Sequence, residues 1–371
     1  MIDSLQTGGS ERQFVAVSRA LDPERFRIHL GCIQAKGALL DGIGVDTFPL
    51  GGSLYGVQSW KTRWHLARHL RRQGIAIAHA FDFYTNLLLI PSARLAGVPV
   101  VVGSQRQLGD LLTPLQFRAQ LMTFQQCDAV VCNSHAAAKL LIESGLDERK
   151  IAVIWNGLAQ EGFAEAAPVL PAISGWRRVG MIARMNSRVK NHSLFLRAAA
   201  RLQSHGSELK LEFVLVGDGP LRPELEREAA ELGLGESVRF LGDRRDIPAV
   251  LASLDLTVLP SDSESLSNAV IESMAAGIPV VATRVGANLE LVTDDRGALV
   301  PVGDEKALAG EIERLLRHDR RRIQMGRNCR SFAGENFSLD KMRRRYQQLY
   351  TELVQRKGAF PIIHTGTGDR S

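Results

Sequence analysis

The run Ser261-Asp-Ser-Glu-Ser-Leu-Ser-Asn-Ala-Val-Ile-Glu-Ser-Met-Ala-Ala-Gly-Ile-Pro-Val-Val-Ala-Thr283 carries two acids, Glu264 and Glu272, eight positions apart around a short polar loop. An apolar helical pattern follows through Ala269, Val270, Ile271, Met274 and Ala275, and it closes on Gly277 and Pro279. A β-rich stretch, Val280–Thr283, comes next. The order is loop, helix, strand. It sets Glu264 just before a helix N-terminus and Glu272 about one turn inside it, where unpaired backbone N–H groups and the positive end of the dipole attract an anion. Carboxylates are poor phosphate ligands but good acceptors for sugar hydroxyls. A ligand carrying both hydroxyls and phosphates, such as a nucleotide sugar, suits that mixture; two solvated helix-end charges would produce the same letters with no ligand at all.

Strand-like and helix-like runs alternate on both sides of this segment over nearly all 371 residues, which argues for an α/β architecture with parallel sheets. In the first half the patterns predict strands at 27–33, 75–79, 98–102, 129–132 and 151–154. Helices are expected between them at 11–21, 60–72, 85–96, 114–126 and 135–144. The stretch 157–175 lacks periodicity, is rich in Ala, Pro and Gly, and reads as a linker. A second series predicts strands at 179–183, 211–216, 238–241, 256–259, 280–283 and 298–300, with helices such as 193–203, 222–232, 246–254 and 305–317. Two doubly wound, Rossmann-like domains would put ligands at the carboxyl ends of their strands, in the cleft between them. The chain length also favours two domains. Their expected limits are 1–165 and 166–336, followed by a helix over 337–357 and a tail over 358–371. Gly8-Gly9 looks like the glycine turn after a first strand, which only Met1–Leu5 is left to form.

Composition narrows the function. The hydrophobic share of 45% fits a globular protein, and the most apolar stretch, 87–102, is broken by Pro91, Arg94 and Pro99, so no transmembrane helix is expected. No secretory signal is expected at the start. Cys32, Cys127, Cys132 and Cys329 are scattered without metal-ligand spacing, which suggests neither zinc nor disulfides and a reduced cytosolic setting. The net charge of +6 permits an anionic partner, but no zinc-finger spacing or aromatic RNA-binding motif points to nucleic acid.

Two cations stand just after the strand expected at 179–183. They are Arg184 and Lys190, in Ala-Arg-Met-Asn-Ser-Arg-Val-Lys-Asn-His. Transfer from a nucleotide diphosphate sugar builds negative charge on the leaving phosphate, and fixed cations aimed there lower the barrier. Arg holds a phosphate bidentately; Lys supplies a point charge. The chain contains no Asp-x-Asp, which agrees with cationic side chains replacing a metal, and neither metal nor cofactor is predicted; taken alone, Arg184 and Lys190 read equally as ordinary surface charge, like Arg188 between them.

Together with Val216-Gly217-Asp218-Gly219-Pro220 before it and Val285-Gly286-Ala287-Asn288-Leu289-Glu290 after it, the 261–283 segment closely resembles the donor-binding half of family four retaining glycosyltransferases, glycosyl transferases group 1, which have the GT-B fold. The resemblance is strong over 178–304 and weaker over 8–156, where Val131-Cys132-Asn133-Ser134 and Ile154-Trp155-Asn156-Gly157 look like family landmarks. It implies that Arg184 and Lys190 form the diphosphate clamp and act with Glu264 as the catalytic set, Glu264 holding hydroxyls of the donor sugar. Glu272 would hold the ribose. Gly9, Gly217, Ser265, Leu266, Ser267 and Asn268 would complete the donor site, the last four through their backbone amides. The N-terminal domain would receive a lipid-linked or growing envelope polysaccharide acceptor at the cytoplasmic membrane face, and a helix over 340–353 would close the fold. A non-catalytic nucleotide-sugar-binding protein is the rival reading. A dehydrogenase is disfavoured because no Gly-x-Gly-x-x-Gly follows a strand.

The chain departs from the family at defined places. Ser265 stands where Gly is frequent, and Ser267 where Pro or Gly is frequent. Several members carry a His after the strand expected at 98–102, where this chain has Gly103-Ser104-Gln105-Arg106. Gln105 or Arg106 would then make any remaining contact, with His79 as a substitute candidate. One further segment, 55–72, places Trp60, Trp64, Ala67 and Leu70 on a helical repeat among Lys61, Arg63, Arg68, Arg71 and Arg72. Such a helix can lie on an anionic membrane surface or pack its aromatic stripe on the N-terminal sheet.

Overall fold

A computed structural model describes residues 1–51, 56–204 and 209–358. Tyr55, at the start of the basic segment, and the expected tail beyond Gly358 lie outside the described residues. The C-terminal half is a six-stranded parallel sheet in the spatial order Gly297–Val300, Val280–Thr283, Leu256–Leu259, Trp176–Ile182, Lys210–Val216, Val238–Phe240. Its strands are apolar on both faces, as in Phe213 to Val216, because helices cover both sides: His192–Ser204 and Glu305–Arg317 pack together, as do Asn268–Ala275 and Asp319–Asn336. The winding direction reverses between Trp176–Ile182 and Leu256–Leu259. Such a switch point opens a crevice at the carboxyl ends of the two strands, and the loops leaving them here carry Lys190 and Glu264.

The N-terminal half is built on four parallel strands, Ile77–His79, Val100–Gln105, Ala129–Cys132 and Ile151–Val153. A short parallel pair, Gly31–Cys32 with Asp46–Thr47, stands beside them. The Met1–Asp3 segment fills the gap: Ile2 bridges Cys32 on one side, and the Met1 carbonyl accepts from Phe81 N at 3.0 Å on the other. The strand expected over 27–33 thus contracts to two residues, and its partner Asp46–Thr47 and the helix Asp319–Asn336 were not foreseen.

The final helix, Leu339–Arg356, leaves the C-terminal half and packs on the helix Gly9–Ala20. Its Met342, Tyr346 and Tyr350 join Phe14, Phe81 and Val100 in one core. The basic helix, Val57–Arg72, buries Ser59, Thr62, Leu66, Ala67 and Leu70 and leaves Trp60 and Trp64 68% and 61% exposed. Of the stripe read from sequence, only Ala67 and Leu70 pack inward. The two indoles face outward, with the guanidinium of Arg63 5.9 Å from the Trp60 ring and that of Arg68 5.5 Å from the Trp64 ring. No helix among the described residues is long and apolar enough to cross a membrane.

Candidate active site

The loop after Trp176–Ile182 turns twice before Lys190. Its first turn is held by the strand end Val216-Gly217: Gly217 has φ of 129°, and a Cβ there would lie 2.2 Å from the Ala183 carbonyl oxygen. The backbone therefore passes flush behind Arg184 only because residue 217 has no side chain. The second turn is a 3-10 turn, Arg188–Lys190, capped by the Ser187 hydroxyl and ended by Asn191 in the left-handed region at φ 54°. The acid loop is stitched to it. Asp262 N donates to Val189 O at 2.8 Å, and Asn191 Nδ2 to Asp262 Oδ1 at 2.8 Å.

That stitching brings Lys190 Nζ 2.5 Å from Glu264 Oε1, which also accepts from Ser261 Oγ at 2.9 Å. The carboxylate is buried and the lysine partly exposed, so the pair faces the crevice from its cationic side. Gly286 makes the packing possible: at φ 46°, a Cβ there would fall 1.6 Å from the Glu264 carbonyl oxygen. Glu272 lies in the second turn of the helix Asn268–Ala275 and is buried. Its Oε1 accepts from Arg12 Nη2, of the opposite half, at 2.5 Å. Burial pushes the Glu272 carboxyl up, and the Arg12 guanidinium pulls the other way. Arg184 is exposed, and no hydrogen bond or ion pair engages it among the described residues. Its positive charge is felt by Glu11, whose carboxyl is raised chiefly by burial.

The remaining predicted donor residues line the seam between the halves. Ser265 Oγ donates to Asn133 Oδ1 at 2.6 Å and lies 3.3 Å from Ser134 Oγ. Asn268 Nδ2 reaches Gly9 O at 3.5 Å, and Asn268 Oδ1 accepts from Asn156 Nδ2 at 2.7 Å. The side chain of Leu266 is buried in the C-terminal core, so this residue offers only its backbone. Ser267 caps the helix backbone without a side-chain hydrogen bond. The amides of Ser265, Leu266 and Ser267 donate to no acceptor among the described residues, which leaves three donors at the helix entrance for an anion.

The substitutes for the missing histidine separate cleanly. His79 is a core residue: Nδ1 meets Tyr350 Oη at 2.6 Å, Nε2 meets Ser104 Oγ at 2.8 Å, and burial holds its pKa well below the usual value. Gln105 is buried and donates to Gln107 O at 2.6 Å. Arg106 alone reaches the seam, donating to Asn156 Oδ1 at 2.5 Å. Sequence reasoning missed Arg12, although its place one turn after Gly8-Gly9 was the available signal. It also missed Glu290, which accepts from Ala136 N at 2.9 Å and His135 N at 3.3 Å at the start of the helix His135–Glu143.

Two Rossmann-like domains, with acids and cations at the switch point of the second, make up a GT-B architecture. Residues 7–161 match the family described as Glycosyltransferase Family 4, and residues 177–318 match Glycosyl transferases group 1. The lipopolysaccharide core biosynthesis glycosyltransferase LpsE of Rhizobium meliloti is 30% identical over 246 residues, 66% of this chain and 68% of that protein. UDP-Gal:alpha-D-GlcNAc-diphosphoundecaprenol alpha-1,3-galactosyltransferase of Escherichia coli is 28% identical over 371 residues, 94% of this chain and 95% of that one. The crystal structure of Anabaena HepE in complex with UDP superposes with a TM-score of 0.82 at 22% identity, over 95% of this chain and 98% of that chain. The chain belongs to glycosyltransferase family 4.

Proposed function

We propose that the protein is a retaining, metal-independent glycosyltransferase that moves a sugar from a nucleotide diphosphate sugar to a lipid-linked or polysaccharide acceptor of the cell envelope. The observation that carries the reading is the Lys190–Glu264 pair at the switch point, with Glu272 on the adjoining helix. Glu264 accepts hydroxyls of the donor sugar and Glu272 those of the ribose. Lys190 and Arg184 receive the leaving diphosphate as the glycosidic bond breaks, which is where fixed charge lowers the barrier most. With Gly103-Ser104-Gln105-Arg106 where several family members carry a histidine, the departing phosphate oxygen takes the acceptor proton. Relatives of this chain include an enzyme named for a diphosphoundecaprenol-linked acceptor and one named for lipopolysaccharide core synthesis, which supports an envelope acceptor.

A membrane-facing acceptor fits the outward indoles. Trp60 and Trp64, with Leu95, Leu115 and Met122 on the neighbouring helices Phe83–Ala96 and Pro114–Gln125, are all at least 61% exposed. Residues 57–126 contain eight Lys or Arg and only two acids, Asp82 and Asp110. Apolar rings among such charges suit the interface of an anionic bilayer. The protein should sediment with phosphatidylglycerol vesicles at low salt and be released by charge reversal at Arg68, Arg71 and Arg72; equal sedimentation of both rejects the membrane face.

The activity is tested by slow donor hydrolysis. Purified protein should release nucleoside diphosphate from one of a panel of nucleotide sugars, with the anomer of the freed sugar retained in proton NMR. Glu264→Ala and Lys190→Ala should each lower the rate by about 100-fold or more. Ligand-induced thermal stabilisation without turnover would instead favour the non-catalytic binding protein.

A further inference from the structure

Each site acid holds a cation: Glu264 holds Lys190, and Glu272 holds Arg12. A buried carboxylate needs such a partner, so an arriving ribose cannot simply be added beside an unchanged Glu272. Arg12 pairs with Glu272 through one guanidinium nitrogen, and its side chain remains 45% exposed, which leaves donors for a further acceptor. It stands on the first turn of the helix that starts at Gly9, its N–H donating to Gly8 O at 3.0 Å. Long side chains lean toward the N-terminal end of their helix, which for this helix is the Gly8-Gly9 end. Across that turn lies the entrance of the helix Asn268–Ala275, where a Cβ on Gly9 would already meet Asn268 Nδ2 at 3.2 Å.

We propose that Arg12 is a third diphosphate-binding cation, held on Glu272 and released to the phosphates when ribose hydroxyls take the carboxylate. The exchange leaves no buried charge without a partner at any stage. Glu272 trades a guanidinium for two hydroxyls, and Arg12 trades a carboxylate for a phosphate. It is the same trade that Lys190 makes at Glu264, carried out from the opposite half of the molecule, so that the nucleotide draws both halves onto itself. The inference rests on the nucleotide-sugar reading of the cleft.

The exchange predicts opposite effects on two ligands. Binding of UDP and uridine, GDP and guanosine, and ADP and adenosine is measured by calorimetry and ligand-observed NMR, and read on the pair that the wild-type protein binds best. Arg12→Met should weaken the diphosphate at least about tenfold, the loss of one charge-assisted hydrogen bond, while the nucleoside binds equally well or more tightly because its competitor for Glu272 is gone. Arg12→Lys should restore much of the diphosphate affinity. Parallel weakening of nucleoside and diphosphate, or an unchanged diphosphate, would overturn the exchange and leave Arg12 a strut between the halves. Failure of the wild-type protein to bind any diphosphate would remove the nucleotide-sugar reading as well.

Discussion

Charge at Glu272 is set by two opposed forces, burial and Arg12. Its folded pKa lies above its ordinary value of 4.5, so the contribution of this group to stability is fully present below pH 4.5 and is lost as pH rises through the folded value. An ionised Glu272 is thus a cost to the folded protein, which under the proposed reading ribose hydroxyls would relieve by favouring the carboxylate. Nucleotide affinity should fall on acidification with a midpoint above 4.5, and Arg12→Met should move that midpoint upward; calorimetric titrations across pH read both. Glu264 and Lys190 could be singled out from sequence because an acid and a cation each stand in the loop after a strand end. Their direct contact could not be read, since it depends on the Asp262–Val189 and Asn191–Asp262 bonds between two loops distant in the chain. Arg12 stayed hidden for a similar reason. An arginine early in a helix is ordinary until its partner, 260 positions away, is in place.

Strands with long apolar runs were readable because burial on both faces leaves an unambiguous pattern, as in Val100–Gln105 and Lys210–Val216. Gly31–Cys32 was overextended because only two residues pair and the flanking residues merely share their composition. The helix Asp319–Asn336 was missed for the opposite reason. Its buried face is Met325, Gly326, Cys329 and Ala333, mostly small residues in a run dense with arginine, so no apolar stripe advertises it. Turns give a sharper test. Gly286→Ala places a Cβ 1.6 Å from the Glu264 carbonyl oxygen, whereas the same change at Gly303, φ 74°, meets nothing within 4 Å. Both carry a left-handed backbone penalty of about 1 kcal/mol. Only Gly286→Ala should also displace Glu264, so thermal melts should show a larger loss for it, and donor hydrolysis should collapse for it alone.

At the scale of the whole molecule, the halves meet through polar contacts in the cleft, through Trp155, Leu158 and Phe163 packed on the C-terminal core, and through one apolar helix. Ser265–Asn133, Asn268–Asn156 and Glu290 at the helix His135–Glu143 are individually small and wettable, suited to parting and closing around a ligand. The helix Leu339–Arg356 is different, because Met342, Tyr346, Tyr350 and Leu353 are built into the N-terminal core. A chain stopped after residue 338, which keeps Phe337 in the C-terminal core, should keep cooperative melting of its C-terminal sheet and bind a hydrophobic dye through its N-terminal half. Two separate transitions with no dye binding would refute that dependence.

Tyr346 and Tyr350 have one more consequence, for how the protein is made. A ribosome delivers Phe14, Phe81 and Val100 long before the tyrosines that cover them, so the first half of the polypeptide must wait, greasy and incomplete, while the later sheet assembles. Maturation here runs against the direction of translation, for a helix from late in the sequence completes a core begun early in it.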